Sequence, residues 1–214
     1  MNFTDELWEE ISGIREAIDR LDFVRGLGDG TLPKEKFDYY MAQDAAYLAS
    51  YARVLAGLAV QTDVPDEGVF WAKCAANAIL VERELHASHV VVEGVEVSPT
   101  CRAYSDFLLA SLSGGEYGVA AAAVLPCFWI YVAVGESLLG AVDDLDGHPY
   151  GDWIGMYADP AFAEETLQAR AIIDRVAEGA SEATRARMRE AFVRASTYEW
   201  MFWDAAWRME TWPI

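Results

Sequence analysis

The chain has 214 residues, of which 53% are hydrophobic and 13% aromatic, and its formal net charge is −19. This richness in apolar and aromatic side chains excludes a disordered chain and predicts a thick core or an aromatic-lined cavity. Such a negative surface repels phosphate backbones and anionic lipid. It therefore argues against nucleic-acid or membrane partners and favours a neutral or cationic small-molecule substrate.

Helical periodicity runs along most of the chain, and strand patterns are nearly absent. Thr4 is a candidate cap for the first helix, and Pro33 suits the first turn of the second. Between them, Gly26, Gly28 and Gly30 predict a loop. The predicted helices span about residues 4–21, 33–61, 66–92, 100–112, 117–142, 151–157, 160–177 and 181–210. No linker or internal repeat divides the chain, so we predict a single all-α domain over residues 1–214.

The cysteines and the N-terminal residues bear on the cellular compartment. Three cysteines, Cys74, Cys101 and Cys127, cannot all pair within one chain. The first ten residues, MNFTDELWEE, are acidic and lack the apolar region of a signal peptide. Both observations predict a reducing cytoplasm.

The longest uncharged run, residues 117–135, contains Pro126 followed by Cys127. Proline inside a helix lacks a hydrogen-bond donor and clashes with the preceding turn, so we expect a kink. Cys127 is either a small packing residue or a thiol presented to a pocket, and both interpretations stay open. The run approaches the length of a membrane span, but its flanks, Glu116 and Glu136, are acidic. We therefore predict the central helix of a bundle.

Two further helices carry carboxylates among aromatic residues. Tyr40, Asp44, Tyr47 and Tyr51 are spaced so that they share one helix face. Asp44 is either a surface residue or a buried acceptor for a flat ring that stacks on the tyrosines, since a lone buried charge is costly.

Glu199 in the last helix shares a face with Phe202 and Trp203. It either points outward or lies against the aromatic surface. In the second case burial raises its pKa toward values that suit general acid–base catalysis.

Glu82, Glu84, His86 and His89 are candidate metal ligands. A di-iron centre in a helical bundle needs a Glu-x-x-His motif from each of two helices, and the sequence contains no such motif. Dinucleotide, Walker and G-x-S-x-G motifs are also absent from the sequence. We therefore predict no metal and no organic cofactor.

Seven segments together resemble one family. They are FVRGLGDGTLP, YYMAQDAAYL, ERELH, CRAY, LPCFWIYVAVGE, HPYGDWIGMY and YEWMFWDAAW, spread from residue 23 to residue 207. In this order they resemble the TenA family, the thiaminase II or aminopyrimidine aminohydrolase group, in its cysteine-containing class. The resemblance implies a heme-oxygenase-like helical fold and a homotetramer. The sequence departs from the pattern at Leu21-Asp22 and in the turn before His148.

The resemblance also implies roles for individual residues. Cys127 matches the family's nucleophile and Glu199 its proton-transferring glutamate. The positions that match substrate-binding residues are Asp44, Tyr47, Tyr104, Tyr131, Tyr157 and Phe202. The implied reaction converts 4-amino-5-aminomethyl-2-methylpyrimidine to the 5-hydroxymethyl pyrimidine in thiamin salvage, and thiamin itself is a further candidate substrate.

Two rival functions remain open at this point. The first is a binding or regulatory protein that keeps the pyrimidine pocket without turnover. The second is a metal-dependent oxygenase of the same fold, which the missing histidine motifs oppose.

Overall fold

The computed structural model describes the backbone of residues 2–88 and 96–214 and the side chains of residues 2–80 and 96–214. Across these described residues it contains ten helices and no strand. The helices are α1 (Phe3–Glu10), α2 (Ser12–Asp19), α3 (Asp22–Asp29), α4 (Lys34–Gln61), α5 (Pro65–Ser88), α6 (Pro99–Ser113), α7 (Tyr117–Leu139), α8 (Gly151–Tyr157), α9 (Pro160–Gly179) and α10 (Glu182–Arg208). The prediction of an all-α bundle is confirmed.

The apolar helix α7 lies at the centre of the bundle. It packs against α4, α6, α8, α9 and α10, and it continues through Pro126 as one helix. Among the described helices, α7 is the one long and apolar enough to cross a membrane, but 83% of its most apolar window is buried inside the protein. That burial is typical of a core helix, as the sequence predicted.

The N-terminal region differs from the prediction of one helix capped at Thr4. The cap of α1 is Asn2, whose backbone N–H donates to Asp5 Oδ2 at 3.1 Å. Thr4 is buried and donates instead to the carboxylate of Asp174 in α9. A break at Ile11 separates α1 from α2, so that α1 packs on α9 and α10 whereas α2 packs on α10 and α3.

The loop predicted at the three glycines is also wrong, because Gly26 and Gly28 lie inside α3. A Cβ on Gly26 would lie 3.1 Å from the Leu32 backbone, and one on Gly28 would lie 2.7 Å from a methyl carbon of Leu138. Gly30 ends the helix in the left-handed conformation, with φ 75°. These glycines therefore permit close packing and a helix cap.

The other predicted helix starts agree with the structure, because a proline or a serine residue marks several of them. Pro33 precedes α4, and Pro160 is the first residue of α9. The hydroxyl of Ser181 accepts from the backbone N–H of Thr184 at 3.1 Å and caps α10. The predicted end of the third helix, at Val92, lies outside the described residues.

Candidate active site

The aspartate and the tyrosines that share one face of helix α4 lie in the protein interior. Tyr40, Asp44, Tyr47 and Tyr51 are all buried, and only 3% of Asp44 is exposed. The interpretation of Asp44 as a surface residue is therefore wrong. The spacing along α4 aims these side chains at α6, α7 and α10, which pack against the same helix.

The Asp44 carboxyl group is an unusual feature of this interior. Within the described residues its buried Oδ2 atom has no hydrogen-bond partner. Burial raises the pKa of Asp44 to about 7. An unpaired buried acceptor is costly, so the group is suited to a ligand that brings its own N–H donors.

Glu199 faces the same interior from α10. Only 1% of its surface is exposed, so the outward-pointing alternative is wrong. Its Oε1 accepts a hydrogen bond of 2.7 Å from the Tyr104 hydroxyl of α6. Burial raises the pKa of Glu199 to about 8; the bond from Tyr104 opposes this rise, and the charge of Asp44 adds to it. A carboxyl group with this pKa can both give and take a proton near neutral pH.

Aromatic rings form the walls around the two carboxyl groups. The Tyr47 ring centroid lies 4.9 Å from that of Tyr104 and 5.7 Å from that of Phe202. The Nε1 donor of Trp203 is buried nearby, without a partner among the described residues. We call Asp44, Tyr47, Tyr104, Glu199 and Phe202 the inner cluster.

Cys127 lies on α7, next to the inner cluster. It retains some accessible surface. Burial raises the pKa of its thiol well above the ordinary value, and the charge of Glu199 raises it further. The nearby hydroxyls of Tyr47 and Tyr51 lower the pKa in part. The thiol is therefore protonated at neutral pH when no ligand is present.

Two more tyrosines join the inner cluster to the end of α8. Tyr131 lies on α7, one turn after Cys127. The Tyr40 hydroxyl donates to the Tyr131 hydroxyl at 3.2 Å. The Tyr131 ring lies 4.8 Å from that of Tyr157 and 4.9 Å from that of Trp203. The structure thus brings the eight predicted site residues into one neighbourhood, although they come from five helices.

A cavity of about 350 Å³ lies against Cys127. Of the predicted residues, Cys127 and Tyr157 line it, while the inner cluster and Tyr131 do not. Its other lining residues include Cys74 and Asn77 of α5 and Phe162 and Glu165 of α9. We call this space the outer cavity. Sequence reasoning missed its α5 and α9 residues because no local pattern shows which helices face each other.

The metal candidates Glu82, Glu84, His86 and His89 have side chains outside the described residues. In the part of the chain whose side chains are described, no three potential metal-ligating residues group together.

The sequence profile of the TENA/THI-4/PQQC family matches residues 10–209. The chain belongs to this family. The family predicted from the order of the seven segments is therefore confirmed. The chain is 36% identical to the aminopyrimidine aminohydrolase of Bacillus subtilis, covering 89% of this chain and 83% of that protein.

Other relatives in the family are longer proteins. The chain is 40% identical to the thiamine biosynthesis multifunctional protein ThiED of Corynebacterium glutamicum over 96% of its own length. It spans 27% of the length of that relative, so it corresponds to one part of a larger protein there.

Solved structures agree with the fold. A TenA homologue from P. horikoshii OT3 superposes with a TM-score of 0.85 at 29% identity, covering 97% of this chain and 99% of that one. A domain from Shewanella denitrificans described as having a heme oxygenase-like fold gives a TM-score of 0.77 at 13% identity, covering 96% and 92%. The heme-oxygenase-like fold is confirmed.

Proposed function

We propose that this protein is an aminopyrimidine aminohydrolase of thiamin salvage. The observation that carries the proposal is the meeting of Cys127, Asp44 and Glu199, from α7, α4 and α10, in a desolvated and aromatic-walled interior. The names of the Bacillus subtilis and Halalkalibacterium halodurans relatives support it; the latter is 34% identical over 99% of this chain.

The inner cluster suits a flat aminopyrimidine ring. Asp44 accepts hydrogen bonds from the amino group and from a protonated ring nitrogen, which supplies the partner that its Oδ2 atom lacks. Tyr47 and Tyr104 offer ring faces for stacking. Tyr131, Tyr157 and Phe202 complete the walls.

The reaction replaces the amine on the exocyclic methylene carbon with a hydroxyl group. The Cys127 sulfur adds to a ring carbon, and its proton passes to the ring nitrogen that Asp44 holds. The C–N bond then breaks, and its electron pair leaves with the amine as Glu199 protonates it. Covalent catalysis of this kind divides one difficult displacement into easier steps.

Water completes the reaction. It adds to the methylene carbon while Glu199 takes one of its protons, so that Glu199 returns to its starting state. The electron pair of the C–S bond returns to sulfur, which takes its proton back from the ring. Aminomethylpyrimidine and water thus give hydroxymethylpyrimidine and ammonia, and no step needs a metal or an organic cofactor.

The neutral resting thiol favours a second candidate, a protein that binds the pyrimidine without turnover. A protonated thiol is a poor nucleophile, and burial holds Cys127 in that form. In the proposed enzyme, a pyrimidine ring that becomes positively charged beside the sulfur lowers the thiol pKa again, because an opposite charge favours the thiolate. Both candidates therefore predict that the protein binds the pyrimidine, but only the enzyme predicts turnover.

Ammonia release from 4-amino-5-aminomethyl-2-methylpyrimidine tests the proposal. We expect turnover by the wild-type protein and a loss of at least about 10³-fold in Cys127→Ser, with pyrimidine binding retained in calorimetry. Cys101→Ser is the matched control, because Cys101 is a buried cysteine of α6 whose thiol donates to the Gln43 carbonyl. Pyrimidine binding without ammonia release by the wild type would favour the second candidate. Full activity of Cys127→Ser would rule out Cys127 as the nucleophile.

We also propose one domain over residues 1–214, a homotetramer and a cytoplasmic location. A continuous core that includes residues from every helix supports the single domain, and three free cysteines support a reducing compartment. Sedimentation velocity measures the oligomeric state, and a monomer would contradict the tetramer.

A further inference from the structure

One aromatic residue beside the site has no part in the proposed chemistry. Tyr198 immediately precedes Glu199 on α10, and it is half-buried. Its ring lies flat on the Tyr104 ring of α6: the two centroids are 5.2 Å apart, and the ring planes differ by 13°. Tyr198 therefore packs on the ring of the same tyrosine whose hydroxyl donates to Glu199.

The orientation of the Tyr104 ring decides whether its hydroxyl can make this bond. Tyr104 is fully buried, and its hydroxyl donates to Glu199 Oε1 at 2.7 Å. The strength of a hydrogen bond falls steeply when its angle departs from linearity, so a tilt of the ring weakens the bond. Tyr198 has the flattest contact with Tyr104, since the Tyr47 ring on α4 is inclined to it by 32°.

The Tyr104 hydroxyl has a particular effect on Glu199. Burial is the main cause that raises the pKa of Glu199 to about 8, and the charge of Asp44 adds to it, whereas the bond from Tyr104 lowers it. Cys127 and Tyr131 of α7, Tyr157 of α8 and the tyrosines of α4 also face Glu199. Burial raises the pKa of each of these groups well above its ordinary value, so they stay neutral near pH 7.

We propose that Tyr198 is a positioning residue for proton transfer: its ring fixes the orientation of Tyr104, and Tyr104 in turn holds the Glu199 carboxyl group by its hydrogen bond. The inference rests on the proposed function and adds to it a residue that acts through Tyr104. A residue that only packs would change the stability of the fold, but it would not change the pH at which Glu199 titrates.

The surroundings of Tyr198 allow its ring to be removed. Tyr198 borders an open groove at the protein surface, together with Val193, Thr197 and Met201 of the same helix. Tyr198→Leu widens this groove and does not leave a closed cavity in the core, and leucine is a strong helix former. We therefore expect this variant to fold. Tyr198→Phe keeps the ring that packs on Tyr104.

The pH profile of kcat/KM for ammonia release tests the proposal. In Tyr198→Leu the weaker bond from Tyr104 leaves Glu199 holding its proton to higher pH, so we expect the alkaline limb to move up by about 0.5 pH unit. Tyr198→Phe should keep the limb of the wild type. Trp200→Leu is the matched control, because it removes another half-buried ring of α10 two residues away, and it should also leave the limb in place.

A double variant separates positioning from general loosening of the helix. In Tyr104→Phe there is no hydroxyl left to orient, so adding Tyr198→Leu should shift the limb no further. The proposal is overturned if Tyr198→Leu alone leaves the limb in place, or if it shifts the limb equally with and without the Tyr104 hydroxyl.

Infrared difference spectroscopy on the protein without substrate titrates the Glu199 carboxyl group directly, because its band is identified by its loss in Glu199→Gln. We expect Tyr198→Leu to raise the midpoint by about 0.5 pH unit, and an unchanged midpoint overturns the positioning role. This measurement needs no turnover and keeps the two proposals apart. Failure of the wild type to release ammonia counts against the proposed function alone, and the midpoint still decides whether Tyr198 positions Tyr104.

Discussion

The carboxyl groups of the inner cluster are more deeply buried than the carboxyl group of Glu165 in the outer cavity. Asp44 and Glu199 are almost fully buried, and burial raises the pKa of the first to about 7 and of the second to about 8. Glu165 in the outer cavity remains half-buried and is held by an amide. Desolvation thus makes the inner carboxyls suited to proton transfer, whereas Glu165 keeps partial contact with solvent and accepts from Asn77.

The largest expected effect within this comparison comes from Glu199→Gln. The amide still accepts from Tyr104 but carries no transferable proton, so we expect kcat to fall about 10²- to 10⁴-fold with ring binding retained. Ammonia release and calorimetry measure the two quantities. Glu190→Gln serves as the control, because Glu190 is exposed on α10 and pairs with Arg194. If Glu199→Gln loses ring binding instead, Glu199 holds the ligand and does not transfer the proton.

Asp44→Ala has a smaller effect, chiefly on binding. The substitution removes the buried acceptor of the ring, and hydrogen bonds to a charged group are worth enough that we expect KM to rise about tenfold to a hundredfold. Asp44→Asn keeps one acceptor oxygen and should lie between alanine and the wild type. Asp38→Ala on the same helix is the control, since Asp38 pairs with Lys34 at the surface. An unchanged KM in Asp44→Ala would remove this residue from the ring-binding site.

The smallest expected effect is a shift of pH dependence in Tyr104→Phe. Glu199 must carry its proton to act as an acid, so kcat/KM of the wild type should fall as pH rises through about 8. The Tyr104 hydroxyl favours the ionised carboxylate and lowers its pKa. Its removal should move the alkaline limb to higher pH by about one unit. A limb that stays in place or moves to lower pH would mean that another group controls it.

Much of the helical architecture could be predicted from the sequence, because local chemistry marks the helix ends. Pro33, Pro160 and Ser181 each begin a helix close to its predicted start. The predictions failed where a residue type fits two structures. Gly26 is permitted in a loop and also where helix α3 approaches the Leu32 backbone, and its spacing does not distinguish them.

The candidate site could be predicted in part. Helical spacing placed Asp44 with Tyr47, and Glu199 with Phe202, but left their burial open. The position of Cys127 after Pro126 left both packing and a pocket open. The resemblance to the family gave Cys127 a role and added Tyr104, which lies on another helix. Neither source indicated that Asn77 and Glu165 meet across a cavity, because α5 and α9 are far apart in the chain and their contact depends on tertiary packing.

By itself the sequence determined the all-α fold class and most helix boundaries, since periodicity and capping act over a few neighbouring residues. Through its ordered motifs it also indicated the family. Only the tertiary structure decided that Asp44 and Glu199 are desolvated and that Cys127 lies near the inner cluster and also lines the outer cavity. The physical reason is that burial depends on which helices pack together, and the environment of each carboxyl group sets its pKa.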